Sequence, residues 1–358
     1  MPIHTVLGPI EARELGPTSM HEHVLIDGRV WLTPPLEPMP ADPTVCLENI
    51  GFLRWNLVSL EDNLVLDDVD LAVDELTTLV AAGGSGIVDL TNIGLGRRVA
   101  DLVGVSRRTG LRVMVGCGFY VGAAHPEWAR TMTVDELAAL LIQELDQGID
   151  DTQIRPALRG EIGTSAPVTP QEVKVLEAAA IAAAQTGSAI SIHLDARGTQ
   201  ALPILEILVR HGVEPGRIIF GHLDEHLDRG YHDEVAASGA VIEFDTFGTD
   251  MYWGGLFKDP SDVERMVHLL ALLEGGPRRP HRARMRRLDE DEPASLRRLR
   301  LRPSVEAHRP GARAGLPHRL RQAGEAAHDQ PPALARSSLT RAPATRQGQD
   351  TTRHANDG

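Results

Sequence analysis

At 358 residues and a net charge of −14, the chain can bury a sizeable core and suits one α/β barrel, while no stretch approaches the roughly 18 apolar residues of a bilayer span. Two cysteines, Cys46 and Cys117, are too few for a disulfide framework, and Glu11, Arg13 and Glu14 stand where an export signal needs apolar residues, so the expected location is cytoplasmic. The charge is split: residues 277–358 hold 18 Arg and no Lys against 9 acidic residues, a net +9 that leaves −23 on residues 1–276, and so acidic a body argues against nucleic acid as its partner.

From the N-terminus, strand-like runs are expected over residues 19–26, 86–90, 112–118, 157–162, 189–194, 217–222 and 240–244. Several are too apolar to be half-exposed, as strands buried on both faces require. Residues 27–60, with Pro34, Pro35, Pro38 and Pro40, read as a long loop after the first strand, placed over the active-site end of a barrel. Thr169-Pro170-Gln171-Glu172 is a capping box with proline at the first helical position. Its helix is expected to stop near Gly187. Ser261-Asp262-Val263-Glu264 repeats the capping box before the run Arg265-Met266-Val267-His268-Leu269-Leu270. Alternating strands and helices predict a parallel barrel over residues 1–276, a (β/α)8 TIM-like fold with seven recognisable units. After Gly276 no apolar run exceeds three residues, so a proper eighth strand–helix unit is lacking. Residues 277–358 read as a disordered, Arg- and Pro-rich tail, with nucleic-acid binding through that tail as a lesser alternative.

Five metal-ligand side chains fall at the ends of these strands: His21, His23, Glu161, His193 and His222. In His21-Glu22-His23 the two imidazoles share one face of a strand, while Glu22 points away. His193 and His222 each close an apolar run. From Glu161 to His193 is 32 residues and from His193 to His222 is 29, each about one strand–helix unit. A lone histidine at a strand end is more often a rim or core residue; five donors at barrel spacing point to a site. Glu161 is the natural bridging ligand, because the only lysines, Lys174 and Lys258, stand away from strand ends. Histidine and carboxylate donors suit zinc, with manganese or cobalt as alternatives.

Gly16-Pro17-Thr18-Ser19-Met20-His21-Glu22-His23, Gly160-Glu161-Ile162-Gly163-Thr164-Ser165, Gly221-His222-Leu223-Asp224 and Glu243-Phe244-Asp245-Thr246-Phe247-Gly248 resemble the phosphotriesterase family of the amidohydrolase superfamily. The likeness spans about residues 3–276 and is nearest to the phosphotriesterase-homology branch. It implies a (β/α)8 barrel with a binuclear centre, in which His21, His23 and Glu161 hold a buried ion and Glu161, His193 and His222 an exposed one. The implied activity is hydrolysis of an ester, lactone, amide or phosphoester of a small molecule by a hydroxide bridging two divalent cations. Thr246 follows Asp245 where organophosphate hydrolases carry histidine, which favours a carbonyl substrate. Asp245 and Arg97 are candidate substrate-binding residues, although Arg97 and Arg98 equally suit salt bridges on a loop. A homodimer is among the assemblies the sequence allows.

The family also places a catalytic aspartate at the end of strand eight, and no such residue stands in a credible strand here. Codons permitted for residues 285–292, shifted by one base, read Cys-Asp-Val-Trp-Thr-Lys-Thr, which resembles the missing strand. That reading points to a frameshift near Gly276, with a real but unrelated tail as the alternative; without the aspartate, the chain as written is expected to be a catalytically impaired, metal-binding barrel.

Overall fold

The computed structural model describes residues 2–275. All seven expected strands are present: β1 (Thr18–Glu22), β2 (Gly86–Asp89), β3 (Arg112–Cys117), β4 (Leu158–Gly163), β5 (Ile190–His193), β6 (Ile218–Phe220) and β7 (Val241–Ile242). They form one parallel sheet in sequence order, with β1 at one edge and β7 at the other. Every residue of β2, β4 and β5 is buried, whereas β1 and β7 are half-exposed throughout. That contrast explains the near-continuous apolar runs of the inner strands, which are covered on both faces.

A helix follows each strand: α1 (Val69–Ala81), α2 (Val99–Thr109), α3 (Val134–Gln147), α4 (Pro170–Thr186), α5 (Ala201–Arg210), α6 (Arg229–Ala237) and α7 (Asp262–Gly275). Both expected capping boxes form. The Glu172 carboxylate accepts the Thr169 N–H at 2.7 Å, and Gly187 closes α4 at φ 66°. At α7 the Glu264 carboxylate accepts the Ser261 N–H at 2.7 Å. Ala178, Ala179, Ala182 and Ala183 are fully buried, and their small side chains let α4 pack closely on α3, α5 and β4.

The sheet is curled. His21 on β1 and Asp245, three residues beyond β7, belong to its two opposite edges, yet they lie 2.9 Å apart. An α/β sheet that brings its edges together in this way is the barrel architecture expected from the sequence. The C-terminal ends of the strands therefore converge on one mouth, where such folds keep their chemistry.

Several boundaries differ from expectation: β6 and β7 end at Phe220 and Ile242, two residues short of the expected runs. β1 stops at Glu22, because Ile26 and Asp27 leave the sheet and pair antiparallel with Leu66 and Val65. Residues 27–60 are not plain loop. A short helix over Ile50–Trp55 packs Leu53 with Leu57, Leu60 and Met251 in a satellite core, so the prolines confine irregular chain to the first half of the segment. No helix among the described residues is long and apolar enough to cross a membrane. The expected eighth-unit defect, the Arg-rich tail and the shifted reading frame lie outside the described residues.

Candidate metal centre

Glu161 is the hub of the mouth. It sits on β4 with no solvent exposure, and four imidazoles from three other strand ends point at its carboxylate. Oε2 lies 3.2 Å from His21 Nε2, 3.2 Å from His193 Nδ1 and 3.5 Å from His222 Nε2. Oε1 lies 3.1 Å from His23 Nε2. The sequence-predicted donors are thus all brought together, as two triads that share Glu161: His21, His23 and Glu161, and Glu161, His193 and His222.

Supporting groups decide which ring nitrogen each histidine offers. His23 Nδ1 is 3.1 Å from the Thr91 hydroxyl, which turns Nε2 inward. Thr91 is fixed by Asp89, whose buried carboxylate accepts the Thr91 N–H at 3.0 Å and the Val24 N–H at 2.8 Å. Asp89 thereby ties the end of β1 to the end of β2. Asp245 holds two histidines at once: Oδ2 faces His21 Nδ1 at 2.9 Å, and Oδ1 faces His222 Nδ1 at 3.2 Å. His222 takes a left-handed backbone, φ 60°, and its N–H also donates to Asp245 at 3.1 Å. At Gly221 a Cβ would meet His21 and Asp245 at 3.2 Å, so a side chain there crowds the cluster. The Thr164 hydroxyl donates to the His193 carbonyl at 2.6 Å, and the Asn92 amide donates to the Glu161 carbonyl.

The electrostatics follow from that geometry. Burial opposes ionisation of Glu161, but His21 and His193 hold its carboxyl well below the ordinary range. Burial also disfavours charge on His21, yet Glu161 and Asp245 raise its pKa well above the usual value. His222 is raised in the same way by Asp245 against the effect of burial. His193 is lowered by burial, aided by the positive neighbours His222 and His21. Glu243, 3.6 Å from His21, is pushed up by burial, and Glu225 is pushed up to about 8 by burial.

The donor set fits a cation. Both oxygens of Glu161, Nε2 of His21 and Nδ1 of His193 are buried without a hydrogen-bond partner, although they lie close to one another. Unsatisfied buried polar atoms are costly. Atoms that converge without hydrogen-bond geometry have the arrangement of ligands around an ion. The residues present could therefore hold metal.

Arg97 takes the other course open to it. Its guanidinium lies 2.6 Å from Glu144 and 2.6 Å from Asp150, and Arg98 lies 2.6 Å from Asp101. The sequence reading passed over Asp89, Thr91 and Tyr120. Thr91 was recoverable from its place just past the end of β2; Tyr120, whose ring centroid is 4.9 Å from that of His193, gives no motif signal.

The sequence model of the phosphotriesterase family matches residues 1–280. N-acetyltaurine hydrolase of Xenopus tropicalis is 34% identical over 281 residues, covering 76% of this chain and 80% of its own. A resiniferatoxin-binding protein from Rhodobacter sphaeroides superposes with a TM-score of 0.74 at 36% identity, covering 77% of this chain and 78% of that one. A lactonase from Listeria monocytogenes superposes with a TM-score of 0.62 at 27% identity, covering 77% and 79%. Two of the three carry the names of hydrolases. With a family match across nearly all of the described residues, the chain belongs to the phosphotriesterase family.

Proposed function

We propose that the protein is a metal-dependent hydrolase that holds two divalent cations and cleaves the ester, lactone or amide bond of a small molecule. Zinc is the first choice for the ions and manganese or cobalt the alternatives, on the chemistry of the donors. The observation that carries the reading is the pair of triads sharing the buried Glu161. Bound there, divalent cations act as Lewis acids and make a water nucleophilic at neutral pH.

The chain's own residues prepare that chemistry. Glu161 stays ionised at neutral pH, so the shared carboxylate is available without a proton to lose. Thr91 and Asp245 fix the ring orientations of His23, His21 and His222, an outer-layer role that strengthens metal sites generally. Burial keeps the Tyr120 hydroxyl protonated, leaving it a neutral donor beside His193. Thr246 in place of a histidine after Asp245 supports a carbonyl substrate over a phosphotriester. The hydrolase names of the Xenopus and Listeria relatives support the same class of reaction.

The test is metal content by mass spectrometry together with a substrate panel of aryl ester, lactone, N-acyl amide and phosphotriester. Two ions per chain and turnover of a carbonyl substrate, abolished by chelation, are the expected result. A metal-bearing chain inert on the whole panel would establish instead the second reading, a binding barrel without turnover. The sequence feature favouring that outcome is the lack of an aspartate in a credible eighth strand.

A further inference from the structure

Arg265 occupies an unfavourable place for a cation on two counts. The capping box of α7 sets it in the first turn, where its N–H reaches the Ser261 carbonyl and the helix macrodipole opposes positive charge. Its side chain is also fully buried, and a buried charge is kept only by close partners. Those partners all lie on the loops that leave β6 and β7 or on α7 itself.

The guanidinium closes a ring of contacts around the chain just past the centre. Nη2 donates to the Thr249 hydroxyl at 2.9 Å, and Nη1 donates to the Thr249 carbonyl. The Thr249 hydroxyl in turn donates to the Thr246 carbonyl at 2.7 Å. On the other side Nε lies 3.5 Å from the buried Asp224 carboxylate, which accepts the Thr246 N–H at 3.0 Å. Asp262, 3.3 Å from Nη1, accepts the Gly248 N–H at 2.8 Å. Thr246 is thus held at both its N–H and its carbonyl, by two groups that each rest on Arg265.

Thr246 follows Asp245 directly, and Asp224 stands two residues past His222. Asp245 accepts the His222 N–H at 3.1 Å and faces its Nδ1 at 3.2 Å. Arg265 therefore grips the chain beside both members of the pair that decides which nitrogen His222 turns to Glu161.

Resting on the metal-centre reading above, we propose that Arg265 is a positioning residue for that centre. Through Asp224 and Thr249 it fixes Thr246, and through Thr246 it fixes the reach of Asp245 to His222 and His21. The planar fork of arginine engages Asp224 and Thr249 at once; a lysine ammonium is a single point charge and cannot span both.

The test measures zinc affinity of the full-length chain by competition with a chromophoric chelator. Arg265→Met and Arg265→Lys are compared with Arg97→Met, which loses a buried ion pair made with Glu144 instead. Both Arg265 variants should bind zinc about tenfold more weakly, the scale for losing an outer partner, while Arg97→Met keeps the wild-type affinity despite its lower Tm. Arg265→Lys added to Asp245→Asn should weaken binding little further, because both act through one carboxylate. If Arg265→Met does not fold, Arg265→Lys carries the comparison. Wild-type affinity in folded Arg265→Lys, an equal loss in Arg97→Met, or a loss fully additive with that of Asp245→Asn overturns the proposal.

If the wild type holds no zinc, the metal reading fails while ring orientation still judges Arg265. NMR of the zinc-free chain, with 15N-labelled histidine, then reads the His222 Nδ1–H held against Asp245. A slowly exchanging signal in the wild type, lost in Arg265→Lys and kept in Arg97→Met, supports the proposal. No such signal in the wild type, the same signal in Arg265→Lys, or its loss in both variants overturns it.

Discussion

Replacing Asp245 by Asn tests the centre at the point where its two halves are joined. The carboxylate faces His21 Nδ1 at 2.9 Å and His222 Nδ1 at 3.2 Å, and one of these histidines belongs to each triad. Asparagine keeps the shape but has a single oxygen acceptor, so it can receive a proton from one imidazole and presents an amide N–H to the other. That second ring must turn, which draws its Nε2 out of register with Glu161, or change tautomer, which puts its proton on Nε2 and removes the ligand lone pair. Loss of such an outer partner costs roughly 10- to 100-fold in metal affinity, or about 1.4–2.7 kcal/mol per site affected. The assay is competition for zinc with a chromophoric chelator, with circular dichroism to verify the fold. Wild-type affinity at every site in a folded Asp245→Asn protein would refute the assignment of Asp245 as the residue that orients both rings.

Other outcomes follow from the same geometry. Glu161→Gln should lower metal content at both triads together, read as ions per chain by mass spectrometry, because the two share that carboxylate. Thr91→Val should weaken binding by roughly tenfold, confined to the ion held by His23, and a metal titration with one altered site would show it. Arg97→Met should destabilise the fold by about 3–5 kcal/mol, since it leaves the buried Glu144 without its partner, with a lower Tm and unchanged metal content. In chelator-treated protein, the raised His21 and His222 contribute stability that is full below about pH 6.5 and fades as pH rises through their folded values. The depressed Glu161 and Asp245 contribute stability present above their unfolded pKa values, near about 4, and lost as pH falls. Raised Glu225 and Asp224 lose stability over the same rise, so the Tm should fall as pH climbs above about 6.5; a Tm that climbs steadily from pH 6 to 9 would contradict those shifts.

The legible part of the molecule was the part fixed by local chain geometry. His193 and His222 could be placed because each ends an apolar strand, and the 32- and 29-residue intervals mark whole strand–helix units. Helix α4 could be placed from Thr169, Pro170 and Gly187, whose roles depend on neighbouring backbone. Arg97 was undecidable from sequence, since its partners stand 47 and 53 residues away. The meeting of Trp31 with Trp253 was equally hidden, because it depends on the shapes of two long loops. Asp245 lay between these cases: its motif was readable, but which ring nitrogens it holds is decided only when the sheet curls.

That curl has a consequence for how the protein is made. His21 and His23 leave the ribosome first, and His222 and Asp245 emerge only after six strand–helix units have been started. A nascent chain cut after β4 already contains the three donors of the first triad, but it lacks every histidine of the second. On the two-ion reading proposed above, the donors of the first triad are complete before any histidine of the second has been made, so metal loading would be ordered in time by the order of the strands. His21 waits for Asp245 across the greater part of translation, with its inward nitrogen chosen last.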